Sequence, residues 1–233
     1  HPVFNKARES YTQNKIFSLR PLLVVLRNKH FLPIALSGAI NYTVYMLFQT
    51  TIGKKYLQDF FNITSAQASF FTFIMMVINT CFAFISGYAS RLMGLRKPIL
   101  VIANSITLIA SLILFLNFLF ASSAKLVLLS YILLAISAAV TPVYITAIKE
   151  INEVEAVSTS VGLYNALAYL FISGAGYVAG RILDAYRDNA VEIARIIVYP
   201  GVAYKMICLG CIMLAFFSLL LSFSIKETGN GQV

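Results

Sequence analysis

Pro98-Ile-Leu-Val-Ile-Ala-Asn-Ser-Ile-Thr-Leu-Ile-Ala-Ser-Leu-Ile-Leu-Phe-Leu116 carries no charge, and its polar side chains are one amide and three hydroxyls. A helix of ~20 such residues reaches across the ~30 Å hydrocarbon core of a bilayer. An ionised side chain at its centre costs at least ~2.5 kcal/mol. Stretches of this kind fill most of the chain, over 31–53, 66–90, 98–120, 126–148, 157–183 and 203–225. None holds a charge in its middle. The fold class is therefore all-α: a polytopic membrane protein with six transmembrane helices.

Composition agrees. Hydrophobic residues make up 59% of the chain and charged residues 12%, with a mean hydropathy of +0.81. A soluble domain carries about 25% charged residues, and a soluble helical bundle needs polar outer faces that 98–116 lacks. The net charge of +9 raises nucleic acid as a partner, but the positions point to the lipid bilayer instead. Lys6, Arg8, Lys15, Arg20, Arg27 and Lys29 precede the first stretch, and Arg91, Arg96 and Lys97 join the second to the third. With Lys149 and Lys226, eleven of the 18 Lys and Arg fall on one side. The positive-inside rule puts that side, with both termini, in the cytoplasm. A bacterial inner membrane is the expected setting.

The chain opens His1-Pro2, which reads as the middle of a longer polypeptide. Residues 1–30 form a cytoplasmic loop in which Ile16, Phe17, Leu19, Leu22, Leu23 and Leu26 alternate with Lys15, Arg20 and Arg27. Pro21 suits the first turn of a helix lying in the interface. The transmembrane domain then covers 31–228, with a tail at 229–233. Thr64 or Ser65 is the expected cap of the second helix, and Pro98 belongs in the first turn of the third. Asp188 to Val198 reads as a short surface helix ended before Pro200-Gly201. Cys81, Cys208 and Cys211 lie in apolar stretches without metal-ligand company, so packing is their expected role and no cofactor is expected. The sequon Asn62-Ile-Thr64 carries little information.

Stretches three and six are the plainest, whereas one, two, four and five hold most of the tyrosines, glycines and amides. Polar faces turn inward where lipid is as apolar as leucine. Helices one, two, four and five are thus expected to line an interior, and three and six to be peripheral.

Gly87-Tyr-Ala-Ser-Arg91-Leu-Met-Gly94-Leu-Arg96-Lys97-Pro98 resembles the signature loop of the major facilitator superfamily, Gly-x-x-x-Asp-Arg-x-Gly-Arg-Arg/Lys. Gly87, Gly94, Arg96 and Lys97 match. Arg91 stands where the acid is expected, Leu92 where the first Arg is, and Leu95 replaces a basic residue. Lys149 to Asn165 is similar to the family's turn into its eleventh helix, Gly174-Ala-Gly176-Tyr-Val-Ala-Gly180 to that helix's glycine-rich end, and Ser224 to Thr228 to its last exit. The resemblance covers about residues 20–228 and implies the C-terminal six-helix half of a twelve-helix carrier. It further implies alternating access around a midplane site. An N-terminal six-helix half of the same protein, or a second copy, becomes the expected partner.

Several polar residues could hold a solute. Asn41, Tyr45 and Gln49 recur at i, i+4 and i+8, with Tyr42 beside them, and the resemblance puts that helix against the central cavity. Asn165, Tyr169 and Ser173 repeat the spacing beside Tyr164; Ser137, Thr141 and Tyr144 flank Pro142; Asn79 and Ser86 come from the second helix. The competing reading is hydrogen bonding between helices, worth ~0.6 kcal/mol each, and it is favoured for Asn79, Asn104 and Asn117. Asn41→Ala or Gln49→Ala is expected to impair uptake while sparing expression. Gly174, Gly176 and Gly180 read as close helix packing, and Arg181 and Asp184 as snorkelling to the interface. No carboxylate or histidine sits centrally, His1 and His30 being at the edge. A small polar organic solute, neutral, zwitterionic or weakly charged, fits best, with any proton coupling in the other half. The alternative is a non-transporting scaffold or sensor subunit. Enzyme and channel readings lack their motifs.

Overall fold

The computed structural model describes residues 20–61, 63–120, 123–193 and 196–229. The segment before Arg20, Asn62 of the sequon and the last four residues lie outside them. Among the described residues, six helical stretches are long and apolar enough to cross a membrane. They are Phe31–Thr51, Ser65–Met93, Lys97–Phe118, Ala124–Glu150, Val154–Ala185 and Gly201–Phe223, called spans one to six here. A short helix, Arg20–Arg27, precedes them with Pro21 in its first turn. Thr64 caps span two through a reciprocal box with Gln67: its backbone N–H donates to Gln67 Oε1 at 2.9 Å, and its hydroxyl accepts from Gln67 N at 3.3 Å.

Two spans are irregular. Span one ends in a π-turn, Leu47–Thr51, where Ile52 N reaches back five residues to Leu47 O at 2.9 Å. The chain then restarts as a short helix, Gly53–Phe61. Gly53 permits the junction, because a Cβ there would lie 1.8 Å from the Phe48 carbonyl oxygen. Span four breaks between Ala138 and Thr141.

The connection between spans five and six departs from the expected surface helix. A short 3₁₀ turn, Arg187–Asn189, leads into a hairpin of β1 (Val191–Ile193) and β2 (Ile196–Val198). The strands are antiparallel, with Val191 opposite Val198. Five of their six residues are β-branched, which favours an extended backbone over a helix.

Burial within the chain adds detail to the sequence reading. Of the most apolar part of each span, 72% of residues are buried in span one, 56% in span four, 39% in span three and 33% in span six, but only 11% in spans two and five. Span three packs along spans four and six, and span one along spans five and six. Span three is plain by count yet not by face: Asn104, Thr107 and Ser111 share one stripe, all fully buried. Ser218 and Ser222 do the same in span six. Small polar residues turn inward face by face.

Candidate functional site

A buried polar knot joins spans one, three, four and six. Asn104 Nδ2 donates to Tyr144 Oη at 2.7 Å and to Ser37 Oγ at 3.3 Å, while Ser218 Oγ donates to Asn104 Oδ1. One turn away, Asn41 Nδ2 donates to Thr107 Oγ1 at 2.7 Å, and Thr107 Oγ1 donates to Ser137 Oγ at 2.9 Å. Gly38 lets the knot close, since a Cβ there would stand 2.9 Å from the Tyr144 ring. Asn41, Ser137 and Tyr144 thus hold helices together, and Tyr45 is buried in the apolar core. The Asn41–Tyr45–Gln49 stripe faces the bundle, Gln49 being half-buried in the π-turn. Tyr42 lies one residue, about 100° of helix, from Asn41 and opens on a cleft.

That cleft, of about 440 Å³, lies between spans one, two and four. Tyr42, Asn79, Thr141 and Pro142 line it, with Thr146 and Lys149 toward its end. The break in span four shapes its wall. Pro142 has no N–H, so the Ala138 carbonyl loses its donor, and Thr141 Oγ1 donates to it at 2.9 Å. Ala139 N and Val143 N bond three residues back, to Ile136 O and Val140 O, which releases the carbonyls of Ala135 and Ala139. Span two supplies both replacements: Asn79 Nδ2 to Ala135 O at 3.0 Å and Ser86 Oγ to Ala139 O at 2.7 Å. In hydrocarbon, such carbonyls require a partner. Asn79 therefore both crosses between helices and borders the cleft.

Span five contributes at the cleft's flank. Tyr164 is buried with its hydroxyl on the Thr141 side chain, and Tyr169 is exposed but near Tyr42. Asn165 is exposed on the same helix. The glycines need correction. A Cβ on Gly174 or Gly180 would meet nothing within 4 Å, and one on Gly176 only Thr51 at 3.8 Å. They face open space because span five presents this side outward, so the close packing within the chain falls to Gly38 instead.

The signature loop ties the ends of spans two, three, four and six. Gly94 closes span two at φ 61°, a left-handed backbone suited to glycine. Arg96 Nη1 donates to Ser90 O at 2.6 Å, and Nη2 to Glu150 Oε1 at 2.9 Å. Glu227 caps span three, accepting from Arg96 N at 2.7 Å and Lys97 N at 3.1 Å, and Lys97 Nζ donates to Phe223 O at 2.6 Å. Thr228 Oγ1 donates to Glu150 Oε2 at 2.6 Å. Arg91, in the acid's place, is exposed and takes no part in this network. Partial burial pushes the Glu227 carboxyl up, but backbone N–H groups of Arg96, Gly229, Thr228 and Lys97 more than offset it, so the carboxyl sits below its ordinary value. A depressed carboxyl stabilises the fold above its ordinary value, and that stabilisation is lost as pH falls through the folded one. The unfolding temperature of the wild type is expected to drop more steeply than that of Glu227→Gln as pH falls below the ordinary carboxylate value of about 4.3. Parallel curves would contradict the cap.

A family model described as Major Facilitator Superfamily matches residues 34–230. The chain belongs to this superfamily. No curated protein matches it. As a major facilitator protein it is an integral, multi-pass membrane protein with a transporter-type function and the all-α bundle described above.

One residue of this major facilitator bundle escaped the sequence reading. Asp59, in the Gly53–Phe61 helix, has a side chain only 1% exposed. Its carboxylate pairs with Lys55 and accepts from Tyr204 Oη at 2.7 Å and Tyr199 N at 3.1 Å. Lys55 Nζ in turn donates to Ile197 O of the hairpin. Asp59 looks like a loop acid in the sequence; its only advance signal is Lys55 one helical turn before it.

Proposed function

We propose that this chain is the C-terminal six-helix half of a secondary active transporter that moves a small polar organic solute by alternating access. The cleft carries the reading: an opening of about 440 Å³ bordered by Tyr42, Asn79 and Thr141 at a broken helix. Transporter sites form where helices are interrupted and freed backbone lines a cavity. Tyr42 has no hydrogen-bond partner among the described residues, which leaves its hydroxyl for a solute. Spans two and five, 11% buried, supply the faces on which an N-terminal half or a second copy closes the site. The signature-loop network latches the cytoplasmic end, and no covalent chemistry is assigned.

Cysteine labelling tests this. In a Cys81→Ser background, Tyr42→Cys and Thr141→Cys are expected to react with a membrane-impermeant maleimide. Ile109→Cys, at a position 51% exposed on the outer face of span three, is expected to stay silent. Silence at 42 and 141 would leave a dry bundle and favour the scaffold.

A further inference from the structure

The cleft does not stop at Thr146. Asn79, Ala83, Gly87 and Arg91 recur every four residues along span two, so they form one stripe. Asn79 and Ala83 line the cleft, whereas Gly87 and Arg91 line a second cavity of about 230 Å³, and Thr146 lines both. The two cavities make one groove between spans two and four. Its floor is made of small residues, and a Cβ added to Gly87 would meet nothing within 4 Å.

Every side chain along this groove that is charged at neutral pH is basic: Lys149, Arg91 and Arg96. Arg96 is neutralised by Glu150. Lys149 and Arg91 are exposed and have no ion pair among the described residues. Glu150 is occupied by Arg96 and Thr228, and Glu153 and Glu155 line neither cavity. The positive-inside rule asks for basic residues in loops; it does not ask for them on a groove wall. Arg91 also stands where the signature pattern has an acid, so the sign of that wall is reversed in this chain.

We infer that the groove selects small organic anions, with Lys149 and Arg91 as the charges that draw them in from the loop end. This rests on the transporter reading and narrows its solute class. Two unpaired cations beside low-dielectric walls focus the field and raise the local concentration of anions by about 10-fold or more.

The test uses purified full-length protein in detergent, carrying Cys81→Ser and Ala83→Cys; Cys208 and Cys211 are buried. Modification rates are taken with the anionic 2-sulfonatoethyl methanethiosulfonate and the cationic 2-(trimethylammonium)ethyl methanethiosulfonate. Each is divided by that reagent's rate with a simple free thiol. The anionic reagent is expected to be favoured by about 10-fold at low salt, less at high salt. Lys149→Gln with Arg91→Gln is expected to bring the ratio to near one. A ratio at or below one, or one that both substitutions leave unchanged, overturns the inference while leaving a wet cleft. Failure of both reagents to react overturns the wet cleft and the transporter reading with it.

Discussion

Asp59→Ala is expected to lower the stability of the bundle by about 3–5 kcal/mol, from two hydrogen bonds to a charged acceptor at ~1.5–3 kcal/mol each, the 29%-exposed Lys55 adding little. The carboxylate is nearly inaccessible, and the substitution takes the acceptor from Lys55, the Tyr204 hydroxyl and the Tyr199 amide at once. Those three groups belong to the helix after span one, the start of span six and the segment after the hairpin. Their loss therefore weakens the tie between these elements, leaving Lys55 on Ile197 O and the Tyr199 ring as the remaining charged contacts there. Asp59→Asn keeps one acceptor and should cost less, about 1–3 kcal/mol. Tyr204→Phe removes a single hydrogen bond and should cost ~0.6–1.7 kcal/mol. Thermal unfolding in detergent in a Cys81→Ser background, followed by a dye that reacts with the buried Cys208 and Cys211 as they become exposed, ranks the three. If Asp59→Ala unfolds with the wild type, the carboxylate is not a clamp.

Much of the fold was legible because membrane insertion is a one-dimensional constraint. The length of each apolar run and the absence of central charge fix a span, and Pro98 and Thr64 then set two helix starts. What was not legible is rotational. Asn41, Tyr42 and Tyr45 all looked equally able to face a cavity, and only packing decided that Asn41 turns to Thr107 and Tyr42 to the cleft. Span three looked plain because Asn104 and Thr107 were diluted among leucines and isoleucines. The break in span four was announced by Pro142. Its consequence, that Asn79 and Ser86 of another helix would cover the released carbonyls, depends on contacts about 55 residues apart in sequence. The groove's basic end was visible in principle, since Lys149 follows Thr141 and Ile145 at four-residue steps.

Gly53→Ala is expected to cost about 3 kcal/mol, the upper end for overpacking, although the substitution adds one methyl group. The new Cβ would lie 1.8 Å from the Phe48 carbonyl oxygen and 2.9 Å from the Tyr131 hydroxyl. The first contact is with backbone and cannot be relieved by a side-chain rotation. Two adjustments remain. The π-turn can relax to α, which turns the following helix by about 100° for the residue removed from the bulge and carries Asp59 away from Tyr204. Alternatively, Gly53 moves off Tyr131 and loses the hydrogen bond from Tyr131 Oη to Gly53 O, now 3.0 Å. If the first adjustment dominates, Gly53→Ala and Asp59→Ala break the same contacts. The double variant should then be clearly less destabilised than the sum of the two. Additive losses would point to the second route, and an unchanged unfolding temperature for Gly53→Ala would mean that the bend at Ile52 does not require glycine.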